Sequence, residues 1–202
     1  MRIGVFGGTF DPPHVGHLSL ASAAAAQLAL DQVHWLLTPN PPHKLGRTIT
    51  PLAVRLEMLQ AAIAGTAQFR LSQVDIDRPP PHFAADTMEI LRQAQPQVAW
   101  IYLLGGDSLR DLPIWHAPQR FLAACSGLGV LRRPGAQIDL EALEALLPGV
   151  QAKIQWVDTP QIDISASRIR QLVGSGGAFR EYLPPAVFAL MQQHTLYYVS
   201  LG

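Results

Sequence analysis

The chain has 202 residues, 49% hydrophobic and 15% charged. This excludes a disordered polar chain and supplies enough apolar surface for a core without covalent staples. Lys+Arg 15 and Asp+Glu 15 cancel to a formal net charge of zero, which argues against a protein that blankets a nucleic acid backbone with cations. Any anion must be held locally. Cys125 is the only cysteine, so no intrachain disulfide and no cysteine-based metal site is available, and a reducing compartment is expected. The apolar start Met1–Phe6 gives way to Gly7-Gly8 and is too short for a signal peptide. Residues 18–30 are interrupted by Ser19, Ser22 and Gln27, well below the ~20 apolar residues of a membrane span. The expectation is one cytoplasmic domain over residues 1–202, with no membrane or nucleic acid partner.

Short apolar runs alternate with amphipathic ones. Residues 3–6 read as a buried strand, followed by a loop over 7–15 and a helix over 16–29. Residues 33–37 form the second strand, with a loop over 38–49. Thr50-Pro51 then supplies a cap and a first-turn proline, and Leu52, Leu56, Leu59 and Ile63 recur at helical spacing. Asp75 and Asp77 alternate with Val74 and Ile76 as in a half-buried strand; that pattern leaves the two carboxylates outside any site. Pro79-Pro80-Pro81 is a stiff extended loop. A helix over 85–94 leads to a strand over 98–104 and a loop over 105–115. Strands over 128–131 and 154–157 flank a helix over 139–147, and helices over 167–173 and 185–194 close the chain. Alternation on this scale implies an α/β fold, a Rossmann-like doubly wound parallel sheet with helices on both faces. In such a sheet ligands lie beyond the carboxyl ends of the strands at a switch in strand order.

Familiar nucleotide and hydrolase signatures are missing. No G-x-G-x-x-G follows the first strand, and G-x-x-x-x-G-K-[ST], G-x-S-x-G, H-E-x-x-H and C-x-x-C do not occur. What remains is Gly7-Gly8-Thr9-Phe10-Asp11-Pro12-Pro13-His14-Val15-Gly16-His17. Two glycines after a buried strand allow backbone amides close to an anion, and a helix start adds unsatisfied N–H groups and a positive end. His14 and His17, three residues apart across that start, can both face one ligand as hydrogen-bond donors to phosphate oxygens.

A second helix start reads Ile164-Ser165-Ala166-Ser167-Arg168-Ile169-Arg170. Ser165 or Ser167 can cap it, while arginines in a first turn oppose the helix dipole unless an anion occupies the place. Three further residues have two readings each. Lys44 can meet a phosphate or be solvated. Asp107, after Gly105-Gly106, suits a ribose hydroxyl or a magnesium-bound phosphate, or caps a helix. Trp115 can stack on a planar heterocycle or belong to the core.

The first motif resembles the H-x-G-H signature of the nucleotidyltransferase superfamily, and residues 164–170 resemble its I-S-S-T-x-I-R motif. With Pro41-Pro42-His43-Lys44, Gly106-Asp107-Ser108-Leu109, Arg133-Pro134-Gly135 and Tyr182-Leu183-Pro184, the chain is similar to bacterial nicotinate-nucleotide adenylyltransferases from end to end. The resemblance implies transfer of an adenylyl group from ATP to nicotinate mononucleotide with Mg2+, in NAD biosynthesis. It implies that His14, His17, Ser165, Ser167 and Arg170 hold the ATP phosphates and that Gly7, Gly8, Thr9, Phe10 and Gly105 line the nucleotide. Asp107 would face the junction of the two substrates, and Lys44, Ala84, Thr87, Trp115 and His116 would surround the acceptor. No protein metal ligand is assigned, and a homo-oligomer is compatible with the family. Two departures stand out. Ala166 and Ser167 replace serine and threonine, and His82-Phe83-Ala84-Ala85-Asp86-Thr87-Met88 stands where the family has S-Y-T-x-D-T-L. Ala84 therefore cannot supply a hydroxyl to the pyridine carboxylate. Alternative readings are another phosphate acceptor, such as nicotinamide mononucleotide, or a nucleotide-binding regulator without turnover.

Overall fold

The computed structural model describes residues 1–40, 49–132, 138–159 and 164–198. Six strands, β1 (Arg2–Gly8), β2 (Gln32–Leu37), β3 (Phe69–Ser72), β4 (Ala99–Gly105), β5 (Gly127–Arg132) and β6 (Ile154–Asp158), form one sheet in the order β3-β2-β1-β4-β5-β6. Every neighbouring pair is parallel. The order reverses between β1 and β4, so the crevice beyond their carboxyl ends is the expected ligand position.

Helices α1 (Val15–Gln27), α2 (Leu52–Ile63), α7 (Ala166–Gly174) and α8 (Pro185–Gln193) cover one face. Helices α3 (Ala84–Ala94), α4 (Gly106–Arg110), α5 (Pro118–Ala124) and α6 (Leu140–Leu146) cover the other. Side-chain alternation along β4 sorts the core: Ile101 and Leu103 point to the first face, Trp100, Tyr102 and Leu104 to the second. The alanine-rich α1 buries Ala21, Ala24 and Ala25, small side chains that let it lie close to the sheet. Gly129 of β5 serves the same approach, since a Cβ there would stand 2.8 Å from Leu28 Cδ1. Among the described residues no helix is long and apolar enough to cross a membrane.

The alternating pattern expected from the sequence is present, with helix and strand ends shifted by a residue or two. Strand β3 and the short helices α4 and α5 have no counterpart in the sequence reading. Thr50 does not cap α2: Pro51 is the cap residue and no side chain caps the helix, because Thr50 turns its hydroxyl toward Tyr197. Asp75 and Asp77 are not on a strand. They lie in a turn, where the buried Asp75 carboxylate accepts from Arg78 Nε at 2.9 Å and Thr87 Oγ1 at 2.7 Å.

Candidate active site

The loop after β1 is built around a reversal at Phe10, whose φ of 47° is left-handed. A bulky residue adopts that conformation only under strong constraint, and here the constraint is its ring. Phe10 is 2% exposed and packs against Phe6, Trp35 and His17, with ring centroids 5.9, 5.3 and 5.1 Å away. A Cβ on Gly8 would come within 2.8 Å of that ring, so glycine is required beneath it. Phe10, expected to line the nucleotide, thus offers backbone only.

His14 is the residue before α1, and its backbone N–H donates to His17 Nδ1 at 3.2 Å. An accepting Nδ1 puts the proton of neutral His17 on Nε2. The two rings stack at 3.6 Å and 25°. Burial pushes the His14 imidazole down to about 4, and its buried Nδ1 has no hydrogen-bond partner among the described residues. The two imidazoles expected from the sequence at this helix start are thus neighbours, with His14 a neutral group at pH 7.

Gly16 explains why the two helix starts meet. A Cβ there would lie 3.0 Å from His14 Nδ1 and 3.3 Å from Ile164 Cγ2, so its absence admits both the imidazole and the residue that precedes α7. Ser165 caps α7, its Oγ accepting from Arg168 N–H at 3.1 Å. Arg170, the fifth residue of α7, reaches back toward the helix start and donates Nη1 to the Asp11 carbonyl at 2.7 Å and Nη2 to Ser167 Oγ at 3.2 Å. A guanidinium carries five N–H donors, so these two bonds fix its plane and leave capacity for an anion. Arg168 lies exposed.

Across the switch point, Gly105 precedes α4 and a Cβ on it would meet open space. Asp107 is not the cap: it is the second helical residue, exposed, and paired with Arg110 at 3.4 Å. Trp115 is half-buried, its ring 6.2 Å from Tyr102 and 5.4 Å from Phe121. His116 is exposed and stacks on Phe83 at 4.0 Å and 19°. Ala84 opens α3, whose start has no capping side chain. Thr87 does not reach an acceptor: it is fully buried, donates to Asp75 and receives Arg78 Nη2 at 3.0 Å. Lys44 and Arg133-Pro134-Gly135 lie outside the described residues.

Sequence reasoning missed Arg55. This guanidinium is 2% exposed and donates to the carbonyls of Thr50, Thr9, Thr38 and Pro39 at 2.8, 3.1, 3.0 and 2.8 Å. It ties the loops after β1 and β2 to α2. The available signal was an arginine three residues after Leu52 and four before Leu59, on the stripe expected to be buried. Among the described residues no three His, Cys, Asp or Glu side chains gather as a metal cluster.

Two helix starts and a glycine-lined strand end, converging where a parallel sheet reverses its order, define a nucleotide-handling α/β transferase. The family model described as Cytidylyltransferase-like matches residues 5–172. A "Probable nicotinate-nucleotide adenylyltransferase" of Thermomicrobium roseum is 43% identical, covering 97% of this chain and 91% of its own. One of the same description from Gloeobacter violaceus is 38% identical over 100% and 98%. Nicotinic acid mononucleotide adenylyltransferase of Plasmodium falciparum, solved with NaAD, superimposes with a TM-score of 0.78 at 17% identity, over 97% of both chains. The chain belongs to the nicotinate-nucleotide adenylyltransferase family.

Proposed function

We propose that this protein joins ATP and nicotinate mononucleotide to give nicotinate adenine dinucleotide and pyrophosphate, as the names of its relatives describe. One observation carries the reading: Arg170 of α7 is bonded to the Asp11 carbonyl of the loop that leads into His14 and His17 at the start of α1. A phosphate oxygen of the acceptor attacks the α-phosphorus of ATP as the bond to the β-phosphate oxygen breaks, and pyrophosphate leaves. Such in-line transfer needs positioning and charge neutralisation, not a protein nucleophile. His17, through Nε2–H, and Arg170 donate to the phosphate oxygens, while the α1 and α7 starts add backbone N–H groups. His14 buttresses the His17 ring, and as a neutral imidazole it has one N–H to donate.

The exposed carboxylate of Asp107, two residues after Gly105, would meet Mg2+ carried in on the substrate phosphates. When bound, the ion neutralises phosphate charge. On the acceptor side, the uncapped start of α3 offers first-turn amides to a pyridine carboxylate in place of the hydroxyl that Ala84 lacks. His116, stacked on the α3 cap residue Phe83, stands beside that place.

The test is formation of nicotinate adenine dinucleotide by folded protein supplied with ATP, Mg2+ and nicotinate mononucleotide. Absence of product sinks the reading. Side-by-side kcat/KM for nicotinamide mononucleotide decides the acceptor; the amide substrate is expected to be at least about tenfold poorer, because a neutral amide gains less from a helix start.

A further inference from the structure

Asp11 is a charged residue of the first loop that the proposed reaction leaves without a task, and it is 5% exposed. A buried carboxylate persists only with donors around it. Its Oδ1 receives the hydroxyl of Tyr197, a residue 186 positions later that follows α8. Its Oδ2 receives Thr50 N–H over a long 3.4 Å, and Thr50 Oγ1 donates to the Tyr197 oxygen at 3.2 Å. Arg55 and Arg170 lie in the same electrostatic neighbourhood. Tyr197 itself holds a left-handed φ of 65°, a conformation that a non-glycine residue keeps only where surrounding contacts enforce it.

The carbonyl of the same Asp11 orients Arg170. We infer that Tyr197 is a positioning residue for the phosphate-binding arginine: its hydroxyl pins the Asp11 carboxylate, and the pinned peptide presents the carbonyl that aligns the guanidinium. Without the hydroxyl, Oδ1 is left buried short of its closest donor, and the loop turns to recover one, carrying the carbonyl with it. The inference rests on ATP being the nucleotide bound.

The experiment is calorimetric ATP binding to Tyr197→Phe, which keeps the ring and removes the hydroxyl, with the melting temperature measured alongside. The expected Kd for ATP is about tenfold weaker, equivalent to ~1.4 kcal/mol, with KM for nicotinate mononucleotide within about twofold of wild type. An unchanged ATP Kd overturns the inference even if Tm falls, since a structural role alone lowers the folded fraction and not its affinity. Thr50→Val, which removes only the donor to the Tyr197 oxygen, is expected to weaken ATP binding in the same direction by a smaller factor, and it decides the matter if the tyrosine variant does not fold. In an Arg170→Met background Tyr197→Phe should add little, and additive losses overturn the mechanism. A wild-type protein that does not bind ATP defeats the functional reading instead.

Discussion

Gly16 has no side chain because His14 and Ile164 occupy the space that one would take. Gly16→Ala therefore pushes the imidazole or separates the two helix starts. Since displacements of about 1 Å cost ~10²-fold in rate, kcat/KM is expected to fall by roughly that factor while circular dichroism stays native. His14 carries a second, pH-linked consequence. Its folded value is about 4 against 6.5 ordinarily, so between those values the unfolded chain binds more protons than the folded one. Stability is full above about pH 6.5 and is lost as pH falls toward 4, by up to about 3 kcal/mol from this group. Replacing it with the cap-competent, non-titrating His14→Asn should flatten the Tm decline across that window; an identical decline in both proteins refutes the assignment. The H-x-G-H residues were legible because their partners are three positions away. Asp11 and Tyr197 were not, because their contact spans 186 residues.

At the scale of elements, Arg55 shows how a helix carries loop geometry. Its guanidinium answers four main-chain carbonyls in a place closed to water. Arg55→Met keeps the approximate volume and leaves those acceptors unpaired, so a loss of about 3 kcal/mol is expected in urea unfolding, read as a lower midpoint with unchanged slope. Arg55→Lys should restore little of it, since an ammonium lacks the planar fork. Long amphipathic helices and β-branched strands were visible in the sequence because periodicity accumulates over their length. Strand β3 has four residues, Phe69-Arg70-Leu71-Ser72, too few to alternate convincingly, and α4 has five with two glycine or aspartate positions at its start. Val74 to Asp77 did alternate, yet that run folds as a turn because Asp75 is drawn inward by Arg78 and Thr87. The same knot removes Thr87 from the acceptor, which composition and motif position had no means to reveal.

Across the whole molecule, zero net charge means that no broad cationic field draws in a nucleotide, and affinity must come from groups brought together by folding. The groups proposed for it lie far apart in sequence: His14 and His17 stand at the start of α1 and Arg170 lies on α7, from which it reaches back 159 residues to the Asp11 carbonyl of the loop before α1. A polyphosphate seated on both helix starts therefore ties the first part of the chain to the last, and unfolding must release it. At a concentration 100 times its Kd such a ligand adds about 2.7 kcal/mol to stability. For a chain of this size each kcal/mol is worth ~2–4 °C, so ATP is expected to raise Tm by about 5–10 °C in differential scanning. Adenosine at the same concentration lacks the group that bridges the helix starts, and a rise below about 2 °C is expected from it. Equal stabilisation by adenosine would place the affinity in the base rather than in the phosphates, and would detach the His14, His17 and Arg170 constellation from nucleotide binding.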